Sequence, residues 1–164
     1  MLVTVIASLV MMAGLFLMLW AAVGFIQDKR LFGSAPKAVR SVIQPRGERF
    51  PGARRLGWRL MLLALALMLG ALAFGGLDGV AKGFGFRQLF IRYLIMLLAL
   101  QAFDILLIDL VLLCRSGFFS YYFPEVAPLL GPHLFGYNRK SHLLLIVLCP
   151  VAAAALAGLC MLLK

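Results

Sequence analysis

Acidic residues are scarce in this chain. Six Asp and Glu stand against sixteen Lys and Arg, and charged residues make up only 13% of the 164. Soluble proteins average about 25% charged residues. Hydrophobic residues reach 64%, and a small water-soluble domain keeps too much surface exposed to hide that fraction. A soluble globular fold is therefore excluded, and lipid is the solvent that suits the composition.

Histidine is scarcer still. His133 and His142 are the only two, and neither lies in an H-E-x-x-H or E-x-x-H pattern. Asp104, Asp109, His133 and His142 are acceptable ligand types, but without such spacing neither a metal nor another cofactor is expected. The three cysteines, Cys114, Cys149 and Cys160, form no C-x-x-C pair, and an odd count gives no disulfide framework. They read as small apolar packing residues. Gly83-Phe84-Gly85 lacks the strand-to-helix setting of a nucleotide loop and reads as a hairpin turn. Ser141 beside His142 are sequence neighbours, which does not make one the activator of the other. No internal repeat is evident. The net charge of +10 comes without a groove-reading motif, so nucleic acid is not an expected partner.

What the chain does have is four long apolar runs, at about residues 2–26, 58–77, 89–113 and 143–163. Each is near the roughly 20 residues that cross about 30 Å of hydrocarbon as a helix. Backbone groups in lipid must pair within their own segment, which selects helices. The first run lacks a basic leader and exceeds a signal peptide's apolar core, so it is expected to be a retained span. The fold class is thus an all-α integral membrane protein. We expect a four-transmembrane-helix bundle, a single transmembrane domain over residues 1–164.

Lys and Arg set the orientation. Twelve of them flank or fill the connections 27–57 and 114–142, and four (Lys82, Arg87, Arg92 and Lys164) lie on the other side. Positive charge stays cytoplasmic, so both termini are expected to be extracytoplasmic. The expected location is the cell membrane, as a multi-pass protein of a bacterial inner membrane.

The first connection offers Ser34 as a cap, Pro36 for a first turn and Pro45 as a stop, with Val39, Val42 and Ile43 on one face. This pattern fits a short helix on the inner leaflet or a basic disordered loop. The second cytoplasmic connection holds Phe118, Phe119, Tyr121, Tyr122, Phe123, Phe135 and Tyr137, broken by Pro124, Pro128 and Pro132. Prolines at that spacing prevent one continuous helix, and the rings favour headgroup depth. An aromatic interfacial segment is expected between the third and fourth helices. Pro150 should bend the fourth span.

The third span carries the candidate polar site. Gln101, Asp104 and Asp109 share an arc of an α-helix, Asp104 about 60° to one side of Gln101 and Asp109 about 80° to the other. An Asp at the centre of a span costs about 2.5–3.5 kcal/mol on the insertion scale, so the arc must face protein or water. Asp104 sits near mid-span and is expected to be protonated or tightly hydrogen-bonded. Asp109 lies about 12 Å from the middle and is expected to pair with His142 or Arg59. Arg59, Arg115, Arg139 and Lys140 are candidate contacts for anionic headgroups. Ala66 and Gly70, Ala71 and Gly75, and Ala154 and Gly158 repeat small residues at a spacing of four, which lets helices approach closely.

Three functional readings follow, the first favoured, which makes a non-enzymatic role the expectation. One is a non-catalytic subunit or scaffold, pairing with itself as a homo-oligomer or with another membrane protein. The second is an oligomeric transporter of protons, ions or small solutes through the Gln101–Asp104–Asp109 arc. The third is a lipid-headgroup-binding or lipid-modifying protein of the inner leaflet. Membrane lipids, anionic ones of the inner leaflet above all, are the expected partners.

Overall fold

The structure, a computed structural model, describes residues 1–31, 37–44, 46–130 and 138–163, with only the backbone described at residues 37 and 38. It is all-helical over these residues. Helix α1 (Leu2–Trp20) continues as a π-helical turn over Ala21–Ile26, and a short 3-10 turn follows at Lys29–Leu31. The small helix α2 (Lys37–Val42) precedes the long α3 (Ala53–Ala81). Helix α4 (Phe86–Phe103) widens into a π-helix over Asp104–Leu113. Helix α5 (Phe118–Tyr122) and a 3-10 segment (Pro124–Leu129) lead towards α6 (Arg139–Leu162), which runs unbroken through Pro150.

Four of these helical stretches, Leu2–Ile26, Ala53–Ala81, Phe86–Leu113 and Arg139–Leu162, are long and apolar enough to cross a membrane. Their packing is that of a multi-pass membrane protein. Small residues face inward: Ala7, Ala71, Ala153 and Ala157 are buried around Met11, Leu89, Tyr93 and Met96. Large residues face outward, with Leu62 at 63% exposure and Val147 at 67%. In water this arrangement would display far more apolar surface than a soluble monomer tolerates. In lipid the gain comes from close helix approach, for which small side chains are best.

Helix α1 packs chiefly against α3, and α4 chiefly against α6, with α1 also touching α4. The α3–α4 turn has a clear cause. Gly83 adopts φ 71°, its N–H bonds to Val80 O at 2.9 Å, and the Phe84 N–H bonds to Gly79 O at 2.9 Å. This is a Schellman closure, which needs a left-handed residue after the cap. Gln88 then returns its side-chain oxygen to the Gly85 N–H at 3.0 Å, satisfying a donor at the start of α4.

The small-residue faces divide. Ala71 and Gly75 are buried inside the bundle, whereas Ala66 and Gly70 are exposed and Ala154 and Gly158 half-buried. A close backbone approach also lies outside these pairs, at Gly57. A Cβ there would meet Ile26 Cγ1 at 2.6 Å and Phe25 Cβ at 2.9 Å, while one at Gly70 meets nothing within 4 Å. Gly57→Ala is therefore expected to cost about 1–3 kcal/mol by overpacking. Gly70→Ala should be neutral or slightly stabilising, since alanine is the better helix former. Unfolding of the two variants in mixed micelles checks the contrast, and equal effects would contradict it.

One end of the bundle is closed by its own connections. Val39 and Ile43 from the first connection are buried with Leu113, Cys114, Phe119, Phe123 and Val126. The apolar face of α2 thus packs on protein. Arg46 clamps the two connections: it pairs with the Glu125 carboxylate, donates to Tyr122 O at 2.7 Å and lies over the Phe123 ring at 5.2 Å. The Trp20 indole donates to the Tyr122 hydroxyl at 3.3 Å. Ser34, Pro36, Pro45, Pro132, His133, Phe135, Tyr137 and Lys164 lie outside the described residues.

Candidate functional site

The third membrane-length helix changes its winding where its first acid stands. Up to Phe103 the backbone is α-helical, and from Asp104 it is π-helical. The wider ladder is visible in the bonds from Cys114 N to Asp109 O (3.1 Å) and from Ser116 N to Val111 O (2.7 Å), each spanning five residues. In a plain α-helix Asp104 and Asp109 would lie about 140° apart. Bonding five residues back brings residues five apart towards one face, so both acids can meet a single partner.

That partner is His142, at the start of α6. Its Nε2–H donates to Asp109 Oδ2 at 2.6 Å, and its Nδ1 accepts from the Gln101 amide at 2.8 Å. Asp104 Oδ2 stands 3.6 Å from the same Nδ1, beyond good hydrogen-bond length. All four side chains of the sequence-derived polar site therefore come together. Of the two pairings expected for Asp109, the His142 one is present. Arg59, Arg115, Arg139 and Lys140 are exposed and are not gathered around the acids.

The two acids are not equivalent. Asp109 has 6% of its side chain exposed and a short bond to the imidazole, while Asp104 has 27% exposed and no such bond. Two apolar clefts meet at Asp104. One, of about 310 Å³, reaches past Met18, Ile108, Asn138 and Ser141 and is also lined by Asp109 and His142. The other, of about 330 Å³, runs away from the cluster between Leu97, Leu100, Leu148 and Ala152. Leu15 and Leu145 line both clefts.

A second polar cluster lies at the opposite end. Arg92, 4% exposed, donates from Nη1 to Gly75 O at 2.5 Å and to Asp78 Oδ2 at 2.9 Å. Lys82 Nζ holds the other Asp78 oxygen at 2.7 Å, and the Arg92 guanidinium lies over Phe84 at 4.7 Å. Sequence reasoning treated Arg92 as an orientation charge and missed this cluster. The signal was available, since Arg92 falls three residues inside an apolar run and Asp78 directly follows another. This ion pair fastens α3 to α4.

Among the described residues no three of His, Cys, Asp and Glu are arranged to hold a metal ion. With His142 Nδ1 taken by the Gln101 amide, the acceptor that the cluster presents to a donor in the clefts is Asp104. The chain matches no protein-family model, no curated protein and no solved structure.

Proposed function

We propose that the protein binds a long-chain amphiphile within the membrane, with a donor-bearing head (an ammonium or hydroxyl group) on Asp104 and the hydrocarbon chain in the adjoining cleft. In this reading both termini are extracytoplasmic and the arginine-rich end is cytoplasmic, as the twelve-to-four distribution of Lys and Arg favours. The aromatic connection lies at headgroup depth. Exposed Arg59, Arg115, Arg139 and Lys140 suit contact with anionic lipids there.

The observation that carries the proposal is the surplus acid. A helix bundle needs one acceptor to satisfy the imidazole Nε2–H, and Asp109 supplies it. Asp104 adds nothing to that bond. It remains an under-used carboxyl at the meeting point of two clefts. An acid this costly in lipid is accounted for if a ligand completes its hydrogen bonding. The cleft beyond it is lined mainly by leucines, which suits a hydrocarbon chain better than a hydrated ion. That lining weighs against solute transport through a single copy.

A photoactivatable long-chain amine tests the placement. Crosslinks are expected at Leu97, Leu145 or Leu148 and should be competed by unlabelled amine. Labelling confined to the outward Leu144 and Val147, without competition, would refute the reading.

A second reading, as a non-catalytic subunit or scaffold, draws support from the outward Ala66 and Gly70, whose surroundings are open. Such a face suits a helix from a second copy or from another membrane protein. The crosslinking experiment separates the two, because a scaffold has no reason to protect the cleft.

A further inference from the structure

We propose that the depression ringed by Lys29, Arg30, Arg40 and Ser41, at the arginine-rich end, is a binding site for a phosphate group. Its volume is about 380 Å³, and among the described residues no acid lines it. Three cations and a hydroxyl from two separate turns converge on it: Lys29 and Arg30 from the 3-10 turn, and Arg40 and Ser41 from α2. Asp28, adjacent in sequence to Lys29, is turned to its own turn, accepting the Arg30 backbone N–H at 2.9 Å.

One atom makes this more than a basic loop. Arg40 Nε is buried and has no hydrogen-bond partner among the described residues. A buried guanidinium N–H without an acceptor is unfavourable, and such orphans call for an explanation. The orientation role of the first connection needs positive charge, but it does not need charges gathered around one hollow or a donor shut away from water. A phosphate oxygen in the hollow supplies the missing acceptor once the Arg40 side chain turns outward to meet it. The planar Arg fork and the Lys point charge are the usual means of holding it.

The phosphate could belong to an anionic lipid or to a phosphorylated solute. The neighbouring Leu31 lines the His142 cleft, so the hollow lies at the edge of the bundle where either could reach it. The site does not rest on the amphiphile reading of Asp104.

Two measurements on the full chain test it. Inorganic phosphate is titrated into detergent-solubilised protein by calorimetry. In parallel, protein in nanodiscs of phosphatidylcholine with added phosphatidic acid is examined by native mass spectrometry for retained lipid. Arg40→Gln is expected to weaken binding about tenfold or more, the loss typical of a charge-assisted bond. Arg30→Gln, at an exposed position, should do likewise, and Arg87→Gln, an exposed cation beside the α3–α4 turn, should leave binding unchanged. Sensitivity in the calorimetric arm identifies a free phosphate compound. Sensitivity only in the lipid arm identifies a headgroup. Indifference of both arms to Arg40→Gln and Arg30→Gln would overturn the site, whatever becomes of Asp104.

Discussion

Replacing His142 by alanine is expected to destabilise the bundle by about 3 kcal/mol or more, because two buried polar groups lose their partner at about 1–3 kcal/mol each. The imidazole bonds the Asp109 carboxylate and also takes the Gln101 amide. Its loss therefore leaves two buried polar groups, Asp109 and Gln101, without their shared partner. The double variant His142→Ala with Asp109→Ala should recover part of the loss, because the most buried acid leaves with its partner. Reversible unfolding in mixed micelles measures both. A His142→Ala protein as stable as wild type would mean that the imidazole does not hold the third and fourth membrane-length helices together.

Asp104→Leu is expected to do the opposite. The bundle should be at least as stable as wild type, since the substitution removes a group that costs about 2.5–3.5 kcal/mol at mid-span and adds one that favours lipid. Retention of a bound amphiphile should fall about tenfold or more, as a buried charge-assisted bond is lost. Neighbouring acids on one helix thus predict opposite outcomes, because one is saturated by His142 and the other is not. If Asp104→Leu unfolds the protein as His142→Ala does, both acids are architectural, and the scaffold reading gains.

The membrane-length helices were legible because hydrocarbon imposes a length and a composition that few other environments allow. Their helical ends reach beyond the apolar runs. Arg54 and Arg55 extend α3 at one end, and Asp78 and Val80 at the other, because backbone pairing continues into water after the apolar run stops. The polar residues of the third span were legible one by one, as the exceptions in an apolar run. Their convergence on one ring was only half legible. Reckoned at 100° per residue they form a wide arc, and the π winding from Asp104 onward narrows it. Nothing in residue type announces that winding, although two acids five residues apart in one span would have suited it.

Tertiary pairing explains the rest. Arg92 looked like a flanking charge, yet the Schellman turn at Gly83 folds α4 back so that the guanidinium meets Gly75 O and Asp78. The apolar face of α2 was readable from Val39 and Ile43, but its choice of Phe123 and Val126 over lipid was not. That choice depends on Arg46 joining two connections about 80 residues apart in sequence.

The most direct measurement compares wild type with Asp104→Leu after gentle extraction from the same membranes. Native mass spectrometry then weighs what each retains. The account predicts a discrete added mass, an amine- or hydroxyl-headed long-chain molecule, on wild type and its loss from the variant. Equal occupancy of the two proteins, or a bare polypeptide in both, would contradict it.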